Sequence, residues 1–278
     1  MKKLTQENYY EDKEYLSNSR LKQYKKCQAR AYAIDTGKWA DNRDETPLIL
    51  GNYVHTYFES PEVHAKFVEK NKAVMISSRG ATKGELKKDF QVAKYMIEAL
   101  ENDDGFNRMY HGYPADDVQK EMIVFGEIKG VPVKGKLDSV NLSRGYFADL
   151  KTMKSIYAEE WNAELRKRVP AAVNNILGFG YHGQLGLYRE LLKQMTGEEF
   201  RPLIVAVSKE EVPDKEVLTI DEEWLVTGLE ELKEDIVEVW EVIQGIREPK
   251  ACGRCDYCRS RKKLNVVFSL NDLIGAFD

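Results

Sequence analysis

Apolar and polar positions in the first 100 or so residues recur at helical spacing. The first predicted helix begins near Ser17 or Ser19, either of which would serve as its N-cap. A second helix is predicted over 51–68, where Pro61 marks a break or restart. A third covers 83–103, since its apolar residues keep the helical period. The N-terminal part of the chain is therefore expected to be helical.

The period changes to that of β-strands between residues 120 and 153. Short apolar runs separated by glycines predict a three-stranded antiparallel meander there. Beyond it the pattern predicts a long helix over 176–195, a buried strand over 201–209 and an acidic amphipathic helix over 221–246. Helices on both sides of a central sheet indicate an α/β fold, in which the helical stretch near 60–118 is expected to be an insertion.

The predicted hairpin of the last two meander strands carries two carboxylates and an amine. If the chain turns at Ser143 and Arg144, Asp138 faces Asp149, and Lys151 shares their face of the sheet. Like charges directly opposite destabilise a strand pair unless a cation compensates. A divalent metal with oxygen ligands is the obvious cation, and the amine would orient or deprotonate an attacking water. An ordinary solvated hairpin face is the alternative.

Other residues with functional side chains are predicted to lie near this hairpin. Glu121 opens the preceding strand and would bring a third carboxylate to the same end of the sheet. His55 on the second helix would complete the coordination of Mg²⁺ or Mn²⁺, although a lone histidine is often structural. Tyr181, Gln184 and Tyr188 share one helical face. Core packing would explain the tyrosines, but an amide between them needs a partner, which indicates a polar cleft.

Composition limits the class of protein. A chain of 278 residues with 42% hydrophobic and 32% charged residues is typical of a globular enzyme and not of a disordered chain. The net charge of −4 gives no overall attraction to nucleic acid, so DNA contact would come from the basic stretches 164–168 and 259–263. No apolar run approaches the roughly 20 residues of a membrane span, and the N-terminus does not look like a secretory signal. We expect a cytoplasmic protein with no membrane contact.

Cysteines form a second pattern. The chain has four, and three of them follow C-x₂-C-x₂-C spacing, which also opens the bacterial ferredoxin run. They are Cys27, Cys252, Cys255 and Cys258. Disulfides are rare in cytosolic proteins, so an iron–sulfur cluster, a structural zinc site and unligated thiols are the alternatives. The neighbouring basic stretch 259–263 would then be placed to hold a phosphate backbone.

In this order, the motifs resemble the PD-(D/E)xK nuclease superfamily in its RecB-like branch. That branch carries a helix with G-x-x-x-H, a Glu-bearing strand, G-x-x-D, D/E-x-K and a later helix with Q-x-x-x-Y. The corresponding positions here are Gly51 to His55, Glu121, Gly135 to Asp138, Asp149 to Lys151, and Gln184 to Tyr188. The resemblance covers residues 50–208, and nearly the whole chain when the cysteines are included. Within the branch the sequence is most similar to phage and prophage exonucleases of the RecE (exonuclease VIII) type.

The resemblance implies a restriction-endonuclease-like core with a central mixed β-sheet flanked by helices. It implies one domain over 1–278, with the insertion near 60–118 and a Cys-cluster segment at 247–278. The implied activity is divalent-metal-dependent exonucleolytic hydrolysis of DNA, in phage or prophage recombination or repair beside a single-strand annealing protein. The implied roles are metal binding by His55, Asp138, Asp149 and the backbone carbonyl of Leu150, water activation by Lys151, assistance by Glu121, and DNA contact by Tyr181, Gln184 and Tyr188.

A subset of RecB-like nucleases, including the AddB type and the CRISPR adaptation nucleases, has one cysteine before the nuclease core and three after it. These bind a 4Fe–4S cluster, which the resemblance therefore implies here, although the last two cysteines of those proteins are usually further apart. Two other functions stay open: a non-cleaving DNA-binding module of the same fold and an iron–sulfur redox protein. The complete carboxylate and lysine set argues against the first. The lack of a G-x-G-x-x-G fingerprint after a strand argues against the second.

Overall fold

The computed structural model of the protein describes residues 3–40, 45–264, 267 and 269–271. Within it the chain forms two compact units. The larger unit comprises Met1–Asn18 and Arg43–Ile236, and the smaller unit comprises Ser19–Asn42 and Val237–Asp278. The expectation of one domain with an insertion near 60–118 stays a prediction.

Helices dominate both ends of the described chain. The α-helices are α1 (Asn18–Lys26), α2 (Gln28–Asp35), α3 (Thr46–Glu59), α4 (Pro61–Met75), α5 (Lys88–Glu101), α6 (Asp104–Phe106), α7 (Ala171–Gly178), α8 (Tyr181–Thr196), α9 (Glu222–Ile243) and α10 (Asp256–Ser260). A short π-helical turn covers Asn107–His111. Pro61 begins α4 after the extended Ser60 that ends α3, which confirms the predicted break, because proline is tolerated in a first helical turn but not in a helix interior. No described helix combines the length and the apolar character that a bilayer crossing demands.

The strands form a central mixed sheet and a separate hairpin. They are β1 (Leu16–Ser17), β2 (Val118–Ile128), β3 (Val131–Asn141), β4 (Tyr146–Met153), β5 (Glu159–Asn162), β6 (Lys167–Pro170), β7 (Arg201–Ser208) and β8 (Lys215–Leu218). The meander β2–β3–β4 is antiparallel as predicted, β4 pairs with β7 in parallel, and β8 adds an antiparallel edge. β1 pairs in parallel with the first half of β3, and β5 pairs with β6 alone. The predicted α/β class with a central mixed sheet is confirmed.

The register of β3 and β4 decides where the acidic residues lie. Ser139 faces Ala148 and Asn141 faces Tyr146, which is the predicted register. The ladder stops at Ser139, although the next residues in that register are Asp138 and Asp149. The two strands therefore separate at the carboxylates, and side chains from flanking helices can enter between them.

Both faces of the sheet are covered by helices of the larger unit. On one face, Leu150 of β4 and Val205 of β7 belong to an apolar cluster with residues of α3, α4 and α5. Helix α8 packs against β2, β3 and β7. Its glycines let it approach α9 closely, because a Cβ on Gly186 would lie 2.6 Å from the Leu225 carbonyl oxygen. Such a backbone contact cannot yield as a side chain can.

Three sequence predictions need correction. The helix predicted over 176–195 is two helices, because Gly180 adopts a left-handed conformation with φ 63° between α7 and α8. The N-terminal helix is interrupted at Cys27, whose φ of −169° is extended. The third helix begins at Lys88 and not at 83, after an isolated bridge between Ile76 and Leu86. The short, mainly exposed hairpin β5–β6 was not predicted, because its charged residues give no apolar alternation.

Candidate active site

Three carboxylates stand in one row across neighbouring strands. Lys120 faces Ser139 and Met122 faces Leu137 between β2 and β3, so Glu121 stands opposite Asp138. Asp149 of β4 lies opposite Asp138 on the other neighbouring strand, at the point where β3 and β4 separate. Glu121 is the fourth residue of β2, not its first, and it has a φ of 50°, which is rare for a non-glycine residue. Such outliers concentrate at functional sites, where surrounding structure holds them.

Asp138 is fixed from both sides of the gap between β3 and β4. Its Oδ2 lies 3.3 Å from Nδ1 of His55 on α3 and accepts a 2.7 Å hydrogen bond from the backbone N–H of Leu150. Burial raises the pKa of Asp138, but the charge and hydrogen bond of His55, with Lys151 and the Leu150 N–H, outweigh it and lower the pKa to about 2. Burial lowers the pKa of His55, and Asp138 more than reverses this, so that pKa is raised. Asp138 is therefore anionic and pre-positioned.

Asp149 pairs with the predicted lysine. Lys151 Nζ lies 2.5 Å from Asp149 Oδ2, and Gln184 of α8 donates to Oδ1 at 3.4 Å. Gln184 in turn accepts a 3.0 Å hydrogen bond from Asn18 Nδ2. Burial, helped by Asp138, raises the pKa of Asp149 despite the nearby Lys151 amine. The Lys151 pKa is raised too, because the two aspartates outweigh the effect of its burial.

Glu121 has its own cation. Its Oε2 lies 2.7 Å from Lys136 Nζ, and its backbone carbonyl accepts a 2.7 Å hydrogen bond from Gln6. Burial and the charge of Asp138 raise the pKa of Glu121 to about 7, although Lys136 opposes this. A carboxyl group with this pKa can give or take a proton near neutral pH.

Sequence reasoning missed four polar residues around this row. Glu59 lies one helical turn after His55, and burial raises its pKa while the charges of Lys136, Asp138 and His55 act on it. Asn18 orients Gln184, and Lys136 pairs with Glu121. Lys120 donates to the Tyr110 carbonyl and to Ser139 Oγ, and burial lowers its pKa to about 7. Two of these residues could have been predicted from sequence spacing. Glu59 is at i+4 from His55 on α3, and Lys136 is at i−2 from Asp138 on β3, so each shares a face with a predicted site residue.

The predicted helical face of α8 is less exposed than DNA contact would suggest. Gln184 and Tyr188 are 9% and 8% exposed. A Cβ on Gly135 would lie 2.5 Å from Tyr188 Cε1, so the glycine of the G-x-x-D motif makes room for this ring. Tyr181 is only half-buried, with its ring centroid 4.9 Å from Lys151 Nζ and 5.7 Å from the ring of Phe179, which is 58% exposed. The aromatic surface beside the lysine is thus formed by Tyr181 and Phe179.

The smaller unit brings the four predicted cysteines together. One sulfur atom from each of Cys27, Cys252, Cys255 and Cys258 lies within 4.8 Å of the others. Cys27 is buried at the break between α1 and α2, and the other three lie in and just before α10. An ion pair of 3.1 Å between Arg30 and Asp256 joins the same two segments. The predicted gathering of four cysteines across the sequence is confirmed, and this Cys₄ cluster is able to bind a metal ion.

The carboxylate row also suits a divalent ion, by the chemistry of its donors. Asp138 and Asp149 supply oxygen ligands and His55 supplies an imidazole, a set accepted by Mg²⁺ and Mn²⁺. Asp149 Oδ2 is buried and, in the described part of the chain, has only the Lys151 amine as a partner. The facing carboxylates repel one another even with Lys136 and Lys151 beside them, so the residues present fit such an ion.

Comparison with known proteins places the fold. The sequence profile described as "PDDEXK-like domain of unknown function (DUF3799)" matches residues 17–261. The chain belongs to this PDDEXK-like family. The predicted resemblance to PD-(D/E)xK nucleases is therefore confirmed, and nucleases of this kind use divalent metals.

Solved structures agree with the family. A crystal structure named "Putative exonuclease" from Eubacterium rectale has a TM-score of 0.83 and 29% sequence identity, over 98% of this chain and 98% of that one. A second structure, SSO0001, covers 90% of this chain and 96% of its own, but its TM-score of 0.30 and 12% identity carry no argument. No curated protein matches the chain. The PDDEXK-like fold, and the similarity to a structure named "Putative exonuclease", support the interpretation of this protein as a nuclease.

Proposed function

We propose that this PDDEXK-like protein is a divalent-metal-dependent DNA exonuclease. The observation that supports it best is the row formed by the buried Glu121 and Asp149 and the largely buried Asp138, with Lys151 against Asp149 and His55 against Asp138. A protein that only binds DNA has no use for buried carboxylates that repel phosphate. The row therefore favours cleavage over the non-cleaving alternative.

The role proposed for each site residue follows from the ligand or proton-carrying atoms of its side chain. Asp138, Asp149 and His55, with the backbone carbonyl of Leu150, would hold Mg²⁺ or Mn²⁺, which would supply polarisation of the phosphoryl group and a lowered pKa for water at the site. Lys151, an ammonium because its pKa is raised, donates a hydrogen bond that orients the attacking water, while Gln184 keeps Asp149 in place. Glu121, with its pKa near 7, exchanges protons at the border of the site.

DNA contact is proposed for the exposed aromatic side of the site. Tyr181 and Phe179 lie next to Lys151 and present ring surface on which a base can stack. Gln184 and Tyr188, which are buried, act by positioning other side chains. The basic hairpin residues 166–168 offer charge for the phosphate backbone. A role in phage or prophage recombination, of the RecE type and with a single-strand annealing partner, is the accompanying biological proposal.

The test compares wild type with Asp149→Asn and the matched control Asp117→Asn, an exposed residue just before β2. Each protein is purified without oxygen and assayed on linear and circular DNA with Mg²⁺, Mn²⁺ or a chelator. We expect metal-dependent digestion of linear DNA by wild type and the control, and a loss of at least about 100-fold in Asp149→Asn. An inactive wild type on every substrate would remove the nuclease proposal. Full activity of Asp149→Asn would remove the proposed site.

A further inference from the structure

The Cys₄ cluster is compact in a way that selects between metal centres. Its four sulfur atoms all lie within 4.8 Å of one another. Two of the sulfur pairs are closer still, at 3.6 Å for Cys27 with Cys258 and 3.9 Å for Cys252 with Cys258. Since each cysteine contributes a single ligand atom, these distances describe the edges of the ligand cage.

One tetrahedral ion and a four-iron cluster need different cages. With a zinc–sulfur bond of about 2.3 Å, four thiolates on one ion are separated by about 3.8 Å. In a 4Fe–4S cluster each cysteine binds a different iron at a corner of the cube, so the cysteine sulfurs spread to roughly 6 Å. The two shorter distances, 3.6 and 3.9 Å, match the single ion, and the 4.8 Å limit on the other sulfur pairs is below the four-iron spacing. The four-iron cluster implied by the family resemblance does not fit this spacing.

The backbone around Cys252 supports a bound thiolate. The N–H groups of Arg254 and Cys255 point at Cys252 Sγ, with N···S distances of 3.5 and 3.3 Å. Gly253 between them has a φ of 72°, the left-handed conformation that lets the chain turn back over the sulfur. Donors aimed at a ligand sulfur stabilise its anionic form and orient it towards a metal.

The charge around the cluster also suits a tetrathiolate. Four thiolates and one divalent ion leave a net charge of about −2. The stretch 259–263, directly after Cys258, contains four basic residues in five. This stretch places positive charge beside the cluster in the sequence, and the nearby carboxylate of Asp256 is paired with Arg30.

We propose that Cys27, Cys252, Cys255 and Cys258 bind one Zn²⁺ ion in a closed tetrahedral site, in place of a 4Fe–4S cluster. Four protein ligands leave no open position, so the ion is structural and not catalytic. It ties the α1–α2 break to the segment that carries α10, two parts of the smaller unit that are distant in sequence. This assignment does not depend on the proposed nuclease activity.

The decisive measurement is elemental. The full chain is produced in medium supplied with both iron and zinc, purified without oxygen, and analysed for zinc, iron and acid-labile sulfide. We expect about one zinc per chain, no sulfide and no visible absorption band. Exchange with Co²⁺ should give the ligand-field bands of a tetrahedral tetrathiolate. Stoichiometric iron, with or without sulfide, or a purified chain free of zinc would overturn the proposal.

A pair of variants separates the site from scavenged metal. Cys255→Ser should lose bound zinc and the cobalt spectrum, and its thermal midpoint should fall. Ser260→Ala, at the end of the helix that follows Cys255 but outside the cluster, should keep all three properties of the wild type. Zinc retained at full stoichiometry in Cys255→Ser would refute the assignment. If Cys255→Ser does not fold, the metal content and the cobalt spectrum of the wild type still decide, and neither readout requires nuclease activity.

Discussion

Gly135→Ala provides the sharpest test of how the site is packed. The new methyl group would lie 2.5 Å from Cε1 and 2.7 Å from Cδ1 of the Tyr188 ring, and 3.2 Å from Val124. The ring is enclosed and cannot swing away freely, so the substitution overpacks the core at a cost of about 1–3 kcal/mol. At roughly 2–4 °C per kcal/mol for a unit of this size, the thermal midpoint should fall by about 2–12 °C.

The assay is a double-mutant cycle with Tyr188→Leu, followed by calorimetry and urea unfolding. If the clash with the ring is the cause, Gly135→Ala should cost at least about 1 kcal/mol less in the Tyr188→Leu background than in the wild type. Equal costs in both backgrounds would refute the packing argument. Tyr188→Phe should keep nuclease activity, because the aromatic ring and not its hydroxyl group fills the space beside Gly135.

Three further predictions concern other parts of the larger unit. Gly186→Ala should lower the thermal midpoint, because its Cβ would lie 2.6 Å from a backbone carbonyl of α9. The control Gly178→Ala, whose Cβ would have no atom within 4 Å, should be neutral or slightly stabilising. Comparable losses of thermal midpoint for the two variants in calorimetry would contradict the close approach of α8 and α9. Phe179→Ala should weaken DNA binding about 5- to 150-fold in fluorescence titrations without changing the thermal midpoint, since a stacked base contributes about 1–3 kcal/mol. Unchanged affinity would exclude the stacking role. Hydrogen bonds from Arg144 and Asn141 lower the pKa of Asp116 from 3.8 to about 2, so its stabilising contribution is complete above pH 4 and is lost as the pH falls through 2. The thermal midpoint of wild type should therefore exceed that of Asp116→Asn at pH 5, and a gap that does not narrow towards pH 3 would contradict this linkage.

Much of the fold could be read from local patterns. The change from helical spacing to short apolar runs near residue 120 identified the meander, and the turn at Ser143 and Arg144 set the register of β3 and β4 correctly. Both depend on neighbours in the chain, through side-chain direction and turn geometry. The break at Gly180 was missed because a glycine within an apolar helical pattern does not indicate whether the helix continues or ends there.

The residues that support the candidate site were harder to predict from the sequence. His55, Asp138, Asp149 and Lys151 were selected by motif order, and the structure places them side by side. Their support could not be selected in this way, since Asn18 reaches Gln184 across more than 160 residues of sequence. The burial of Tyr188 was equally hidden, because it depends on how α8 lies over Gly135.

The sequence by itself determined the α/β class, the register that aligns two carboxylates, and the identity of the residues able to bind a metal. Each of these follows from periodicity, from local turn geometry or from the chemistry of one side chain. Tertiary structure decided that β3 and β4 separate at those carboxylates, that Glu121 and Asp149 flank Asp138, and that four sulfur atoms approach closely enough for a single ion. These are distances between segments remote in the chain, and close packing of whole helices and strands sets them.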